Sequence, residues 1–198
     1  MLFRQTAYRV SSMNIVFEGL PGSGKSTLIS ALTRYKNGTI IGEFCDGIAG
    51  TLGDIDYFIN NEKKKNEIMR TSPQNHICYV DRFWQSTLVA NAVICGVKTK
   101  RELRELYNII YKGYTFEEYI YVFLDIPSEI SLSRNKNSEE VRQCMWFNNL
   151  FNKKAYNMYH LLYDNIDYIL KRKVRKILID TQKFSVADEA RIINELLI

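Results

Sequence analysis

The 198-residue sequence predicts an α/β domain, a doubly wound five-stranded parallel sheet flanked by helices, with a short lid. Two observations lead to this fold class. Short apolar runs that read as strands alternate along the chain with longer segments of helical spacing, which is typical of parallel sheets with helical crossovers. A glycine-rich segment also joins the first strand to the first helix, where such sheets commonly bind anions.

The first elements lie on either side of that glycine-rich segment. Residues 14–17 form a short apolar run that predicts a buried strand, and residues 27–35 have the spacing of a helix. The sequence Lys-Asn-Gly at 36–38 predicts a turn. The β-branched run after it predicts a second strand at 39–42.

The next pair of elements is a helix and a strand separated by a proline. Helical spacing of apolar residues predicts the helix over 52–69, and Pro73 prevents it from continuing. The run Lys63–Lys65 within this helix indicates a solvated helix end. Beyond the proline, the apolar run at 76–80 predicts the third strand.

The second half of the chain continues the alternation. Gly96 separates two helices, and Pro127 closes a strongly apolar strand. A long, aromatic-rich helical region then precedes the last strand and an amphipathic helix. In order, the predicted elements are helices 84–95 and 100–111, strand 119–124, a helical region from 138 to about 170, strand 176–179 and helix 186–197.

An acidic residue stands at the carboxyl end of every predicted strand. Parallel strands end at one edge of a sheet, and ligands bind beyond that edge, so these carboxylates mark the expected functional edge. They are Glu18, Glu43, Asp81, Asp125 and Asp180.

The segment Phe17–Thr27 fits the pattern G-x-x-x-x-G-K-[ST] of a phosphate-binding P-loop. Its glycines let backbone N–H groups point inward at a polyphosphate, and the following helix adds its N-terminal dipole. The Lys25 ammonium can reach the outer phosphates, and the Ser26 hydroxyl can ligate Mg²⁺. The predicted ATP-binding residues are Gly19, Leu20, Pro21, Gly22, Ser23, Gly24, Lys25, Ser26 and Thr27.

Composition narrows the class of protein further. Hydrophobic residues make up 46% of the chain, enough for a substantial core, yet no segment approaches the roughly 20 apolar residues of a membrane span. The net charge of +5 suits an anionic ligand, but it is lower than the positive charge expected of a protein that binds nucleic acid. The cysteines lack C-x-x-C spacing, which favours reduced thiols in the cytoplasm over a zinc site. They are Cys45, Cys78, Cys95 and Cys144.

The predicted domain covers residues 13–198, and residues 1–12 form an N-terminal tail. The tail contains Arg4 and Arg9 but no acidic residue, a composition also found in organellar transit peptides. A disordered tail, or initiation at Met13, is the preferred interpretation.

The segment Asp81–Ala90, D-R-F-W-Q-S-T-L-V-A, resembles the D-R-[YF]-x-x-S-[ST]-x-A signature of thymidylate kinases. It is also similar to the E-R-S segment of deoxynucleoside kinases, which share the fold. Glu18 before the P-loop is typical of both groups. Leu124–Pro127 followed by Arg134 resembles their segment leading into the lid, and Ile179–Thr181 resembles the strand whose following loop packs against adenine.

The resemblance implies roles for three residues near the P-loop. Asp81 would hold magnesium, directly or through water, with a helix cap as its structural alternative. Arg82 would brace the acceptor's phosphate or the transferring phosphoryl group, with a surface ion pair as the alternative. Glu43 would take the proton of an acceptor hydroxyl or orient the acceptor; otherwise it is a strand-end carboxylate.

The resemblance also implies a reduced lid at about 134–142. Arg134 and Arg142 bracket this polar stretch and would neutralise charge on the transferred phosphoryl group. Either arginine could instead be a solvated helix residue.

This sequence departs from those of thymidylate kinases in two features. The R-E-P-G-G-T sequence and the arginine that grips the monophosphate in the following helix are absent, and Lys63–Lys65 or Arg70 are candidate substitutes. Several aromatic residues could stack on an acceptor base or belong to the core, namely Tyr57, Phe58, Trp146 and Phe147.

Together these patterns favour an ATP- and Mg²⁺-dependent kinase that transfers the γ-phosphoryl group to a nucleoside monophosphate. A deoxynucleoside kinase is one alternative. Another is a P-loop NTPase that couples hydrolysis to a protein partner, and a binding module without catalysis is less favoured because Lys25, Ser26, Asp81 and Arg82 are intact. The expected partners are ATP and a small acceptor, without nucleic acid or membrane, and the resemblance implies a homodimer as one option.

Overall fold

One five-stranded sheet, with every strand pair parallel, forms the centre of the molecule in the order β2-β3-β1-β4-β5. It is seen in a computed structural model that describes residues 13–43, 55–73, 75–116, 119–134 and 144–196. The predicted parallel sheet is confirmed. Its strands are β1 Met13–Glu18, β2 Gly38–Ile41, β3 Ile77–Asp81, β4 Ile120–Asp125 and β5 Arg175–Asp180.

Helices cover both faces of the sheet, as the alternating pattern predicts. The short helix that begins at Ser128 is not among the predicted elements. The helices are α1 Lys25–Tyr35, α2 Ile55–Thr71, α3 Trp84–Ile94, α4 Lys100–Ile110, α5 Ser128–Arg134, α6 Asn149–Leu170 and α7 Val186–Leu196.

The predicted helical region from 138 to 170 is only partly helical in the described residues. A short 3₁₀ turn, Met145–Phe147, precedes α6. The Asn148 side chain caps α6 by accepting a hydrogen bond from the Phe151 N–H at 3.0 Å, so α6 begins here as a separate helix.

Alternate residues of the central strand β1 face two separate cores. Ile15 and Phe17 pack with α1 and α7, whereas Val16 joins the core formed with α3, α4 and α6. Trp84 at the start of α3 is fully buried in the second core. No helix within the described ranges combines the length and apolarity that a bilayer crossing requires.

The register of the strands brings the predicted site residues to one edge. Phe17 of β1 lies beside Asp81 of β3, and Glu18 lies beside Phe123 of β4. The P-loop therefore leaves β1 between the ends of its two neighbours, and the start of α3 lies next to it.

Candidate active site

The P-loop follows a path that depends on two of its glycines. Gly19 has a φ of 141°, and a Cβ atom there would collide with the carbonyl oxygen of Leu124 on β4. Gly24 has a φ of 94° and is the N-cap of α1. Both backbone conformations are costly for residues with a side chain, so the glycine spacing of the motif has a direct structural cause.

Lys25 lies inside the curl of the loop. Its ammonium donates hydrogen bonds to the carbonyls of Gly19 and Leu20, both at 3.1 Å. Burial, and after it the nearby Arg82 cation, lower the pKa of Lys25 to about 8, against the opposite effect of Asp81. The loop thus holds one compact, titratable cation at the position where outer phosphates would bind.

The side-chain oxygens of Ser26 and Asp81 form a hydrogen-bonded pair beside the loop. The Ser26 hydroxyl donates to Asp81 Oδ2 at 2.9 Å. The other carboxylate oxygen, Oδ1, is buried and has no hydrogen-bond partner among the described residues. An unpartnered carboxylate oxygen next to a hydroxyl fits Mg²⁺, which binds one or two protein oxygens together with phosphates and waters.

Arg82 stands at the turn from β3 to α3 in the left-handed region, with a φ of 58°. Its Nε lies 3.1 Å from Glu43 Oε2, and its Nη1 donates to Ser86 Oγ at 3.1 Å and to the Tyr159 hydroxyl at 3.4 Å. The guanidinium also lies over the Trp146 ring, 5.4 Å from its centre. Four groups from separate parts of the chain therefore fix this side chain.

The charge of Arg82 is stable in this setting. Burial opposes the charge, but the carboxylates of Glu43 and Glu18 more than compensate and raise the pKa of Arg82 above its usual value. The guanidinium can therefore stabilise negative charge at any pH at which the protein is folded.

Glu18, at the end of β1, connects the P-loop strand to the turn that carries Arg82. Its Oε1 accepts from the Phe83 N–H at 2.7 Å, and its Oε2 accepts from the hydroxyls of Ser86 at 2.6 Å and Tyr159 at 3.2 Å. Complete burial raises the pKa of Glu18, and the Arg82 cation opposes that rise. Glu18 is thus a positioning residue for the turn.

Lys65 is buried, so the prediction that Lys63–Lys65 form a solvated helix end is wrong for this residue. Its ammonium donates to the carbonyls of Asp81 and Arg82, at 2.7 Å each. Arg70, another candidate phosphate clamp, is exposed and pairs with Glu67 at 2.7 Å. The sequence could not show this difference because it does not fix how α2 is rotated against the sheet.

A cavity lies between α2 and α3 beside Arg82, and it is the candidate acceptor site. Of the four aromatic residues proposed from the sequence, Phe58 and Trp146 line it, whereas Tyr57 and Phe147 do not. Its lining is Glu43, Phe58, Asn61, Glu62, Lys65, Arg82, Phe83, Ser86, Thr87, Ala90, Asn91, Ile94, Met145 and Trp146.

Two residues in this lining, Asn61 and Glu62, were not predicted as site residues. Both are buried. Asn61 lies three positions and Glu62 four positions after Phe58, and both come before Lys65, so all four residues share one face of α2. The sequence does contain a signal for this binding face, because an aromatic residue occurs there at helical spacing with amide, carboxylate and ammonium groups. Burial distinguishes it from an ordinary solvated face.

Helix α5 supports the P-loop from the lid side. Ser131 Oγ donates to the Pro21 carbonyl at 2.7 Å, and Arg134 Nη1 donates to the Gly22 carbonyl at 2.9 Å. Arg134 is therefore at the phosphate-binding loop, where its cation can reach a bound nucleotide. Arg142 and the rest of the predicted lid after Arg134, 135–142, lie outside the described residues.

Comparisons with known proteins agree with the motifs, although no protein-family model matches the chain. The chain is similar to the thymidylate kinase of Caldicellulosiruptor saccharolyticus, with 28% identity over 72% of this chain and 79% of the relative. It is similar in fold to a deoxyadenosine kinase from M. mycoides with bound dATP, with a TM-score of 0.70, 16% identity, and coverage of 93% and 99% of the two chains.

A second solved structure, the YorR protein of Bacillus subtilis in complex with phosphorylated GDP, has a TM-score of 0.54. Its identity is 19%, and the match covers 93% of this chain and 95% of that one. The sequence relative and the shared fold point in the same direction as the segments around Lys25 and Arg82. Together these findings support a phosphotransferase, and the chain resembles the P-loop kinases of the thymidylate and deoxynucleoside kinase-like group.

Proposed function

We propose that the protein transfers the γ-phosphoryl group of ATP to a hydroxyl group of a nucleoside. The observation that carries this proposal is the Glu43 carboxylate, which borders the acceptor cavity 3.1 Å from Arg82 Nε. Glu43 is half exposed, so a hydroxyl group can reach it, whereas Arg82 is buried and fixed. A hydroxyl acceptor needs a base of this kind, because it must lose its proton as it attacks phosphorus.

The roles of the other residues follow from their positions. The P-loop and Lys25 bind the phosphates of the donor, and Arg134 adds charge from the lid side. Arg82 lies between the two substrates and stabilises the negative charge on the transferring group, which is where electrostatics lowers the barrier most. Ser26 and Asp81 would hold Mg²⁺, which when bound neutralises phosphate charge.

The positions of the lysine and arginine side chains in the described residues support a nucleoside as the acceptor over a nucleoside monophosphate. A phosphate on the acceptor needs a fixed positive clamp, yet Arg70 is exposed and Lys63 lies over the Tyr114 ring, 5.0 Å from its centre. Lys65 lines the cavity, but its ammonium is hydrogen-bonded to two backbone carbonyls. Arg82 is the remaining candidate clamp among these residues.

A nucleoside monophosphate acceptor, as the sequence predicts, is the second candidate. The D-R-F-x-x-S-T segment favours it, and so does the name of the sequence relative, a thymidylate kinase. In this case Arg82 would bind the acceptor's phosphate and Glu43 would orient Arg82 instead of acting as the base. Phosphate is already nucleophilic at neutral pH and depends less on a carboxylate.

Two substitutions distinguish these candidates. With a nucleoside acceptor, Glu43→Gln should lower kcat, and the activation free energy calculated from kcat should rise by roughly 2–4 kcal/mol. The acceptor KM should change little. With a monophosphate acceptor, Arg82→Ala should be the more damaging change and should raise the acceptor KM. Each variant is assayed with nucleosides and their 5′-monophosphates.

The exposed pair Glu67 and Arg70 supplies matched controls, Glu67→Gln and Arg70→Ala, because it lies on α2 outside the lining of the cavity. If Glu43→Gln retains full activity and monophosphates are the better acceptors, the nucleoside kinase proposal is wrong.

A further inference from the structure

Glu62 is a buried carboxyl in the wall of the acceptor cavity, with 5% of its surface exposed. Its Oε1 accepts a hydrogen bond from the Tyr111 hydroxyl at 3.2 Å. Its Oε2 is buried and has no partner with hydrogen-bond geometry among the described residues, although the Thr87 hydroxyl is near the carboxylate. A buried oxygen without a donor costs free energy, and a ligand that supplies the donor recovers that cost on binding.

The surroundings of Glu62 suit the base of an acceptor more than its reacting end. Phe58, one helical turn earlier, offers a ring for stacking, and Ala90 and Ile94 of α3 give the cavity an apolar side. The carboxylate of Glu43, by contrast, is paired with Arg82. An acceptor that reacts at Glu43 and Arg82 can therefore extend its base along α2 to Glu62.

We propose that Glu62 is the residue that selects the acceptor base, and that it favours bases with an exocyclic amino group over bases with a carbonyl in that place. The amino N–H of a cytosine- or adenine-type base would donate to Oε2 of the ionised carboxylate. The carbonyl of a uracil-, thymine- or hypoxanthine-type base would place a second acceptor against Oε2. This inference rests on the proposed function, because it assigns the base preference of the same cavity.

The protonation state of Glu62 makes this preference depend on pH. Burial raises the pKa of Glu62 to about 7, while hydroxyls of Thr87 and Tyr111 oppose the rise. The charged groups that face it have opposite effects, since Glu18 raises the pKa and Lys65 lowers it.

Tyr107 of α4 and Tyr111, which directly follows α4, add no charge in this range. Burial raises the pKa of Tyr107 to about 12 and raises that of Tyr111 well above its usual value. Above pH 7 the ionised Glu62 can only accept a hydrogen bond, whereas below pH 7 the protonated form can donate one to a carbonyl. The preference for amino bases should therefore grow as the pH rises through about 7.

Matched acceptors that differ only at this position test the proposal. Deoxycytidine is compared with deoxyuridine, and deoxyadenosine with deoxyinosine, each also as the 5′-monophosphate, between pH 6 and 8. We expect kcat/KM at pH 8 to favour the amino base by at least about tenfold, and the ratio to shrink at pH 6. The ratio is the readout because the titration of Lys25, with its pKa of about 8, affects both members of a pair equally.

Glu62→Gln is the test variant, since its amide has nearly the same shape and offers both a donor and an acceptor. The preference should fall to within about threefold, and its pH dependence should disappear. Glu67→Gln makes the same chemical change at an exposed position of the same helix and should keep both properties. Thermal melting of each variant verifies that it is folded.

Dissociation constants for the same pairs, measured by calorimetry with a non-hydrolysable ATP analogue present, test the inference independently of turnover. If no acceptor is phosphorylated but amino bases bind more tightly in a manner that Glu62→Gln abolishes, the proposed reaction is wrong and the recognition by Glu62 stands. Equal use and equal binding of paired bases, no binding of either, or an unchanged preference in Glu62→Gln would overturn the inference.

Discussion

Lys25 has an unusual pKa for a lysine because the loop that positions it also buries it. The cost of that burial is offset by hydrogen bonds to the Gly19 and Leu20 carbonyls, which a bound phosphate can replace. A lysine that is strongly attracted to phosphate yet weakly solvated loses little hydration when the nucleotide binds. Its protonation should consequently control nucleotide capture at alkaline pH.

We expect kcat/KM for ATP, at saturating acceptor, to decline as the pH rises through about 8. The cation is the active form, and the pKa of Lys25 in the free enzyme is lowered to about 8, so the charge is lost above that pH. Bound phosphates raise this pKa again, so kcat should decline only at a higher pH. A kcat/KM that stays constant to pH 9.5 would show that the Lys25 charge is not required.

At the scale of single elements, helix α2 links the acceptor cavity to the turn between β3 and α3. Lys65 reaches from α2 to the carbonyls of Asp81 and Arg82, which precede and follow the Cα atom of the left-handed residue Arg82. A left-handed arginine costs about 1–3 kcal/mol and persists only where its surroundings fix it. Lys65 and Glu18 each hold this turn by hydrogen bonds to its backbone.

Lys65→Met should therefore destabilise the fold by about 1–3 kcal/mol, because two buried carbonyls lose their donor. It should also lower kcat by misplacing Arg82, even when assayed well below the melting temperature. Lys64→Met, at the adjacent exposed position, is the control and should change neither quantity. Wild-type kcat in a destabilised Lys65→Met protein would show that the link is purely structural.

The strands and most helices could be predicted from the sequence because their apolar periodicity is strong and local. The P-loop could be predicted as well, since each residue of the motif has a separate physical cause. The acceptor wall could not, because Glu62 and Lys65 become buried only through the rotation of α2 against β3 and α3. The same holds for Arg82, whose ion pair with Glu43 depends on a left-handed turn that no sequence pattern specifies.

At the scale of the whole molecule, the two proposed substrate sites lie at one edge of a single sheet. The donor site is formed by β1, α1 and α5, and the acceptor cavity by α2, α3 and the turn at Met145–Phe147. ATP with Mg²⁺ should bind the folded state alone, and at a hundred times its dissociation constant it should add about 2.7 kcal/mol of stability. For a chain of this size the melting temperature should rise by roughly 5–10 °C.

Differential scanning calorimetry measures this shift, and two changes should remove most of it. Lys25→Ala takes away the cation inside the loop, and chelation removes the Mg²⁺ that Ser26 and Asp81 would hold and that would neutralise phosphate charge. Lys36→Ala, at an exposed position just after α1, should preserve the shift. A full shift in Lys25→Ala would contradict the assignment of the loop.

The relation between donor and acceptor sites distinguishes a kinase from an NTPase that acts through a protein partner. The Arg82 and Glu43 pair lies next to Asp81 and the P-loop, so an acceptor in the cavity would be held beside the transferring group. Water in the same place lacks that positioning, which supplies a large part of the catalysis of phosphoryl transfer. Consumption of ATP should therefore rise by at least about tenfold when the correct acceptor is added.

Release of ADP and formation of phosphorylated acceptor should match one to one, measured together across a panel of nucleosides and monophosphates. Glu67→Gln should behave as the wild type, and Lys25→Ala should abolish both the stimulated and the unstimulated reaction. If ATP is hydrolysed at the same rate with every acceptor, the cavity does not position a substrate for transfer. The partner-coupled NTPase would then be the better account of this site.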